Sequence, residues 1–344
     1  MRPGFELDAA RLDAYLHERL PGYAGPLEIS QFEGGQSNPT YLLATPGHRY
    51  VLRRKPPGRL LPSAHAVDRE FRVLSALGAS SDVPVPRTWL LCDDDAVAGT
   101  AFYLMDWVEG RIIRDPSLPE VPFAQRPAHS EALVDALARL HRVDYRAAGL
   151  ESFGRAGGYV ARQFARWSKQ YLEDADAGRV EAMDRLVEWL PTRMPAADDT
   201  CVVHGDYRCD NVVFHPSEPR VMAILDWELA TLGDPLADFA YYLMVYRMPD
   251  AGVPGLAGRD LHALNLPAEQ DCVAAYCRRT GRSGIPDLDF YVAFNLFKLA
   301  GVLHGIRGRV IKGTAASVRA REYAAKVELV AELAWRQAER AMRS

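Results

Sequence analysis

The hydrophobic periodicity of the chain changes near residue 108, and this change constrains the fold more than any other feature of the sequence. Before it, short β-type runs predict five strands, at 27–32, 41–45, 49–54, 89–92 and 102–107. After it, apolar residues repeat at helical spacing over most of the chain. The pattern predicts an α+β chain with a strand-rich first part and a mainly helical second part.

The first part is interpreted as a five-stranded antiparallel sheet with one helix. Its first three strands form a meander, because a polar glycine-bearing turn and the turn at 46–47 separate them. An acidic hairpin turn at 93–95 links the last two strands. The helix is predicted at about 63–77, before two prolines at 83–86 stop it. A short amphipathic helix is also predicted at 8–20.

The second part is predicted to be helical with a small β insert. Ser130 is expected to cap a helix that runs to about residue 142. Further helices are predicted at 158–175, 180–190, 235–247, 268–280, 288–306 and 316–342, and short strands at 201–203, 212–214 and 222–225. A chain of 344 residues is long enough for two lobes that share a cleft. We expect these lobes to span residues 1–105 and 106–344.

Composition excludes several classes of protein. A net charge of −4 gives no support to nucleic-acid binding, which needs a concentrated basic surface. The five cysteines are odd in number and form no C-x-x-C pair, which argues against disulfides and structural zinc. The N-terminus carries acids rather than a secretory signal, and no stretch has the roughly 18 apolar residues of a membrane span. We expect a cytoplasmic protein; the sequence does not indicate its oligomeric state.

The stretch from His204 to Asp238 contains the parts that phosphoryl transfer needs: a base for the acceptor hydroxyl and oxygen ligands for Mg²⁺. Asp206 follows an apolar strand, and Asn211 follows five residues later. Asp226 ends a second apolar strand. A hairpin between Asn211 and Asp226 would bring both side chains to the same end of a strand pair. Asp206 is therefore the candidate base, with Asn211 and Asp226 as candidate Mg²⁺ ligands.

This stretch resembles the catalytic core of aminoglycoside phosphotransferases and choline kinase-like enzymes, whose catalytic loop reads H-G-D-x-x-x-x-N. His204, Gly205, Asp206 and Asn211 match that loop, and Asp226 stands at the metal-binding aspartate of the D-F-G-like motif. The sequence LDWELATLGDPLADFA resembles the subgroup that includes kinase-like domains fused to acyl-CoA dehydrogenases. The resemblance covers about 25–335. It implies a protein-kinase-like, two-lobed fold, ATP and Mg²⁺ as cofactors, and a small-molecule hydroxyl as acceptor.

The segment EGGQSNPTY lies between two predicted strands, as a glycine-containing loop over nucleotide phosphates would. Its candidate nucleotide-binding residues are Gly34, Gly35, Gln36, Ser37 and Asn38. No Walker sequence occurs in the chain.

The third strand and the end of the fifth provide the other nucleotide-binding candidates. Alternation puts Val51 and Arg53 on one face, so that if Val51 contacts adenine, Arg53 reaches the α- and β-phosphates. Glu70 on the following helix is expected to pair with Arg53. Met105 and Trp107 belong to FYLMDWV, the connection between lobes whose backbone binds adenine in proteins of this resemblance.

Two positions depart from the family pattern. Arg53 stands where the family usually has lysine, and the two cations differ in geometry and hydration. The D-F-G-like site reads Asp226-Trp227-Glu228 and lacks the glycine. The alternative interpretation of Arg53 is a solvated edge residue, like Arg54 and Lys55.

The acceptor is indicated only by charge. Residues 273–312 contain seven Lys or Arg and two Asp, and Lys298, Arg307, Arg309 and Lys312 surround one apolar helix. This favours an anionic acceptor, such as a hydroxy acid or a hydroxyacyl thioester, over a polycationic antibiotic. The alternatives are an aminoglycoside O-phosphotransferase, a nucleotide-binding pseudokinase, and a metallohydrolase that uses His204, Asp206 and Asp226. Asp234 and Asp238 are expected to cap a helix and brace the catalytic loop rather than bind metal.

Overall fold

A computed structural model describes residues 4–32, 38–58, 66–195, 199–251, 253–315 and 319–343. The chain forms two compact units. The first comprises residues 1–112, 146–153 and 212–230, and the second comprises 113–145, 154–211 and 231–344. The proposed division into lobes at 105 and 106 stays a prediction. Sheet and helices are combined as predicted, which confirms the α+β, protein-kinase-like class.

The strands, in chain order, are β1 (Glu28–Gln31), β2 (Thr40–Ala44), β3 (Arg49–Arg54), β4 (Thr88–Cys92), β5 (Phe102–Asp106), β6 (Cys201–Val203), β7 (Val212–Phe214), β8 (Val221–Ile224) and β9 (Thr231–Gly233). The α-helices are α1 (Ala9–Arg19), α2 (Val67–Ser80), α3 (Asp95–Ala98), α4 (Arg126–His141), α5 (Tyr159–Glu173), α6 (Glu181–Trp189), α7 (Pro235–Leu243), α8 (Glu269–Thr280), α9 (Leu288–Ile311), α10 (Ala320–Ala324) and α11 (Val327–Ala341). Short 3-10 helices include Cys209–Asn211 and Trp227–Leu229.

The first unit is built on an antiparallel sheet of order β1-β2-β3-β5-β4. One face of the sheet is apolar, and Tyr50 and Leu52 of β3 pack there in a core that includes Leu12 and Leu16 of α1. Because side chains alternate along a strand, Val51 and Arg53 point to the opposite face. Arg53 therefore lies on the side of the sheet away from this core.

A β-hairpin from later in the chain completes the first unit. In it, β7 and β8 pair antiparallel with Val212 opposite Ile224, which confirms the predicted hairpin. Backbone hydrogen bonds join it to the rest of the unit, from Ile224 N to Pro84 O (2.8 Å) and in both directions between Arg111 and Phe214 (2.8 Å each). Gly110 is required here, because a Cβ at this position would lie 2.2 Å from Phe214 O.

The second unit is organised around α9, which packs against α5, α7, α10 and α11. Most residues of α9 are buried, which explains its nearly continuous apolar sequence. Strand β6 leads into the loop that contains Asp206, and it pairs antiparallel with β9, with Cys201 opposite Gly233. This pairing fixes the start of that loop.

Several local predictions were wrong. Ser130 does not cap a helix: α4 begins at Arg126 with Pro127 in its first turn, and the Ser130 hydroxyl donates to Arg126 O (3.1 Å) inside it. The acidic turn continues into α3, capped by Asp94. The last predicted helix is two helices, α10 and α11, and its residues 316–318 lie outside the described part, as do 63–65 of the earlier one. In the described residues, no helix has the length and apolarity that crossing a membrane requires.

Candidate active site

Arg53 is the centre of a cluster of charged side chains in the first unit. Its Nε lies 2.9 Å from Glu70 Oε2, and its Nη2 lies 2.6 Å from Asp226 Oδ1 and 3.5 Å from Glu228 Oε2. The Arg53 side chain is only 12% exposed. Burial opposes its charge, but Glu70 and Asp226 more than compensate and raise the pKa of Arg53. The predicted ion pair with Glu70 is confirmed, and the solvated-edge interpretation is wrong.

The interpretation of Arg54 as a solvated edge residue is also wrong. Arg54 is buried, donates a hydrogen bond to Ala98 O (2.5 Å) and lies over the ring of Tyr41 (5.5 Å). A cation on the core face of β3 is tolerated because its guanidinium reaches a backbone carbonyl and an aromatic face.

Glu70 is buried on α2 and is held from three sides. Besides Arg53, it accepts hydrogen bonds from Asn38 Nδ2 (2.8 Å) and from the Tyr103 hydroxyl (3.1 Å). Burial raises the pKa of Glu70, and the Arg53 charge counteracts that rise. Asn38 is therefore oriented by a residue of the same cluster. Gly34, Gly35, Gln36 and Ser37 lie outside the described residues.

The candidate adenine contacts lie on the face of the sheet that carries Arg53. Val51 and Met105 are directly paired across β3 and β5, and both are buried. Trp107 follows β5 and stacks on Phe32, with ring centroids 5.7 Å apart and planes at 5°. The structure thus brings Val51 and Met105 together; contact with adenine stays a prediction.

In the second unit, the Asp206 carboxylate is held at both oxygens. Asn211 Nδ2 donates to Oδ2 (3.1 Å) and to the Asp206 backbone carbonyl (2.9 Å), and the Tyr241 hydroxyl donates to Oδ1 (2.5 Å). Arg208 Nε lies 3.5 Å from Oδ1. The Asp206 side chain stays 24% exposed, so it remains accessible to another hydrogen-bond donor.

Tyr241 was missed in the sequence because it belongs to the apolar run of α7 and resembles a core residue. One signal could have found it. Asp238 and Tyr241 are three residues apart and therefore share a face of α7. Since Asp238 was expected to brace the catalytic loop, Tyr241 should face the same loop.

Asp238 braces the loop from α7, as predicted. Its buried carboxylate accepts hydrogen bonds from the backbone amides of His204 (2.7 Å) and Gly205 (2.8 Å) and from His141 Nε2 (3.1 Å). Burial works against ionisation, but the hydrogen bond and charge of His141, with the His204 contacts, hold the pKa of Asp238 below its usual value. Asp234 caps α7 by accepting from Leu236 N (2.8 Å), which confirms the other half of that prediction.

Lys298 of α9 lies beneath the same loop instead of on a basic surface. Its ammonium donates to Gly205 O (2.9 Å) and lies 5.0 Å from the ring centre of Tyr241. Burial lowers the pKa of Lys298, and the negative charges of Asp206 and Asp238 oppose that effect. Lys298 thus helps to fix the loop backbone.

Two of the three other cations named from the sequence also have partners. Arg307 donates to Ala324 O (3.1 Å) and to Glu328, and Lys312 pairs with Asp174 (2.9 Å). Arg309 is exposed. The local excess of positive charge in the sequence is therefore largely neutralised by residues outside 273–312, and it does not by itself identify an acceptor surface.

An apolar cavity of about 100 Å³ lies in the second unit. Its wall is mainly apolar and includes Leu118, Leu133, Met244, Met248 and Leu256. Arg114, Arg208 and Tyr241 are among its polar lining residues, and the last two also approach Asp206. A molecule in this cavity would therefore contact side chains that touch the candidate base.

The oxygen donors present suit Mg²⁺, which needs few protein ligands. Because Asn211 Nδ2 donates twice to Asp206, its amide oxygen is left for another partner. The Asp226 carboxylate is partly exposed and follows β8 with a φ of 62°, a backbone conformation that aspartate tolerates. Across the described ranges, no group of three His, Cys, Asp or Glu side chains forms a ready-made metal site. Asp206 and Asn211 belong to the second unit and Asp226 to the first, so their convergence on one triphosphate stays a prediction.

Comparisons with known proteins find a matching family model and several relatives. The family model described as "Phosphotransferase enzyme family" matches residues 28–276. Acyl-CoA dehydrogenase family member 10 of Mus musculus is 43% identical over 327 residues, which cover 94% of this chain and 30% of the relative. The chain spans less than half the length of the curated relatives it matches.

Solved structures share the fold. A protein of Ralstonia eutropha JMP134, described as a candidate aminoglycoside phosphotransferase, is 44% identical and has a TM-score of 0.89, with 97% of this chain and 99% of that chain covered. The aminoglycoside phosphotransferase APH(4)-Ia, in a ternary complex with AMP-PNP and hygromycin B, has a TM-score of 0.59 at 14% identity, covering 94% and 98% of the two chains. At that identity the likeness shows the fold alone.

Proposed function

Because this chain belongs to the phosphotransferase enzyme family, we propose that it is an ATP- and Mg²⁺-dependent kinase that phosphorylates a hydroxyl group of a small molecule. The observation that carries the proposal is the environment of Asp206. Its carboxylate is partly exposed, held at both oxygens, and in contact with two residues that line an apolar cavity. A positioned, partly exposed carboxylate is what a general base requires.

In this proposal Asp206 accepts the proton of the acceptor hydroxyl. The acceptor oxygen forms a bond to the γ-phosphorus, the bond from that phosphorus to the β–γ bridging oxygen breaks, and ADP leaves with the bonding electrons. Asn211 and Asp226 would hold Mg²⁺, which neutralises phosphate charge when bound. Asn211 also orients Asp206 through its two hydrogen bonds.

The first unit would bind the nucleotide. Arg53, fixed by Glu70, would bind the α- and β-phosphates, while Val51, Met105 and Trp107 would contact adenine. The loop residues Gly34, Gly35, Gln36, Ser37 and Asn38 would cover the phosphates. The adjacency of Val51 and Met105 supports this assignment, and so does the AMP-PNP in the APH(4)-Ia complex.

We propose an anionic acceptor with an apolar body, such as a hydroxy acid or a hydroxyacyl thioester. The support comes from the cavity, whose wall is apolar and includes Arg114 and Arg208. The mouse relative is named as an acyl-CoA dehydrogenase family member, which supports an acyl group in the acceptor. The surface cations at 307 and 312 add no support, because they are paired.

Two alternatives remain. An aminoglycoside O-phosphotransferase is favoured by the description of the Ralstonia protein. It is opposed by the arginines of the cavity, which would repel a polycation. A nucleotide-binding pseudokinase is opposed by the presence of all three residues Asp206, Asn211 and Asp226.

A cytoplasmic location is supported by the five cysteines, which are all buried and free.

The test is a panel of hydroxy acids, hydroxyacyl thioesters and aminoglycosides incubated with Mg-ATP, with phosphoester and ADP both measured. We expect an anionic alcohol to be phosphorylated. Asp206→Asn should lower turnover by about 10²- to 10⁴-fold while Mg-ATP still binds. Asp226→Ala should also lose Mg²⁺-dependent nucleotide binding in titration calorimetry. Asp199→Asn, an exposed acid just before β6, is the matched control and should keep normal turnover.

Near-normal turnover of the Asp206 variant would remove this residue from its role. Phosphorylation of aminoglycosides but of no anionic alcohol would refute the acceptor class and leave the kinase proposal in place. A chain that binds Mg-ATP without any transfer would support the pseudokinase alternative.

A further inference from the structure

We propose that Tyr241 is a positioning residue for phosphoryl transfer, whose hydroxyl fixes the orientation of the Asp206 carboxylate. This inference rests on the proposed function, in which Asp206 is the base. Tyr241 belongs to α7, outside the catalytic loop, and it matches none of the motifs that identified the other site residues.

Two hydrogen bonds fix the orientation of the Asp206 carboxylate. Tyr241 donates to Asp206 Oδ1 at 2.5 Å, and Asn211 donates to Oδ2 at 3.1 Å. With one donor on each oxygen, rotation of the carboxylate about its Cβ–Cγ bond breaks at least one hydrogen bond. Without the phenol, the donor that remains near Oδ1 is Arg208 Nε at 3.5 Å, beyond good hydrogen-bond distance. Of the two hydrogen bonds to the carboxylate, the one from Tyr241 is the shorter.

Tyr241 is itself held in place. Its ring lies 5.0 Å from the Lys298 ammonium, which is fixed by its bond to Gly205 O. One helical turn earlier, Asp238 binds the loop amides of His204 and Gly205. Helix α7 therefore contacts the loop at two points on one face, and the position of the phenol follows the position of the loop.

The Tyr241 hydroxyl can donate only while the phenol is protonated. Burial and the negative charge of Asp206 raise the pKa of Tyr241 well above its usual value. The hydroxyl consequently stays protonated near neutral pH and can donate to the Asp206 carboxylate. Proton acceptance from the acceptor is left to Asp206, so Tyr241 acts through that residue.

The position of Tyr241 relative to the cavity places it beside a bound acceptor. Its side chain lines the apolar cavity, so an acceptor bound there meets Asp206 beside the phenol. The hydroxyl occupies one direction of approach to Oδ1, which leaves the acceptor the other lone pairs of the carboxylate. Loss of the phenol should therefore slow the chemical step, while the nucleotide still binds normally.

Tyr171 provides a matched control. It is also buried, and its hydroxyl also donates to a carboxylate oxygen at 2.5 Å, that of Asp184, but neither of these two residues lines the cavity. If Tyr241 were merely a packing residue, removal of either hydroxyl would have a similar effect. A difference between the two variants therefore reports on the contact with Asp206.

The experiment measures kcat and KM for Mg-ATP, with water as the acceptor and with any alcohol that the panel identifies. Tyr241→Phe should lower kcat about 10- to 100-fold, the range for loss of a hydrogen bond to a charged group, with KM for Mg-ATP within about twofold. Tyr171→Phe should change both by less than about twofold. In the Asp206→Asn background, Tyr241→Phe should cause no further loss, because the two residues act as one unit.

The outcomes separate the two proposals. Equal effects of the two tyrosine variants, additive losses in the double variant, or a change in KM alone would overturn the role of Tyr241 and leave the kinase proposal intact. No ATP turnover by the wild type with water or any alcohol would overturn both. If Tyr241→Phe does not fold, 3-fluorotyrosine at position 241 keeps the ring and changes donor strength; it should alter kcat there and not at position 171, and no change at 241 would overturn the inference.

Discussion

Replacement of Asp238 by alanine should destabilise the protein more than any change of an exposed acid. The buried carboxylate accepts three hydrogen bonds, from His204 N, Gly205 N and His141 Nε2. Each buried donor that loses its partner costs about 1–3 kcal/mol. Because the loop can relax in part, we expect a total loss of about 3–5 kcal/mol, the range for breaking a buried charged interaction. Asp238→Asn should cost less, since its amide oxygen can still accept one of these bonds.

The assay is urea unfolding followed by tryptophan fluorescence. With a slope of about 3 kcal/mol per M, a loss of 3–5 kcal/mol moves the midpoint down by about 1–1.7 M. Glu181→Ala is the control, because Glu181 is 78% exposed and pairs with Arg185 on the surface of α6. That control should change the free energy of unfolding by less than about 0.5 kcal/mol.

The pH dependence follows from the depressed pKa of Asp238. A carboxyl with a lower pKa in the folded state stabilises that state fully above its unfolded pKa of about 3.9, and this contribution is lost as the pH falls through the folded value. The stability gap between the wild type and Asp238→Asn should therefore be present in full above about pH 5 and narrow in stronger acid. A gap under about 1 kcal/mol at pH 7, or one that widens in acid, would refute this reasoning.

Three other predictions concern the cation, the hairpin and the metal. Arg53→Lys should raise KM for Mg-ATP several-fold, because one ammonium cannot reproduce the fork that reaches Asp226, and an unchanged KM in steady-state assays would contradict this. Gly110→Ala should lower the free energy of unfolding by more than about 2 kcal/mol in a denaturant titration, because its Cβ would collide with Phe214 O; wild-type stability would refute the clash. Excess EDTA should abolish phosphorylation and added Mg²⁺ should restore it, so turnover that survives chelation would exclude metal dependence.

Local patterns in the sequence predicted the sheet and part of the candidate site. Strand alternation placed Arg53 opposite the core face, and helical position placed Glu70 near it; both proved sufficient to find the ion pair. The hairpin that precedes Asp226 was also found, because two apolar runs separated by a polar turn pair locally. These features depend on residues that are close in sequence or carried by adjacent strands.

What sequence reasoning missed depends on distant partners. Strand β9 pairs with β6 about 30 residues earlier, and three residues are too few to show a period. Arg54 is buried because a carbonyl from the α3 turn meets its guanidinium, which nothing in the strand pattern indicates. Lys298 was counted as a surface cation because nothing in the sequence of α9 indicates that a loop carbonyl lies within reach of its ammonium. Long-range hydrogen bonds thus decided each of these positions.

The first unit is assembled from three separate stretches of the chain, and the covalent path passes between the two units five times. A fragment ending near residue 112 keeps the five-stranded sheet but loses the hairpin that satisfies the backbone of Arg111. It also loses Asp226, so the Arg53 guanidinium would retain one of its two close carboxylates. Neither unit is therefore one continuous segment: a fragment would have to span residues 1–230 to contain all of the first unit, and residues 113–344 to contain all of the second.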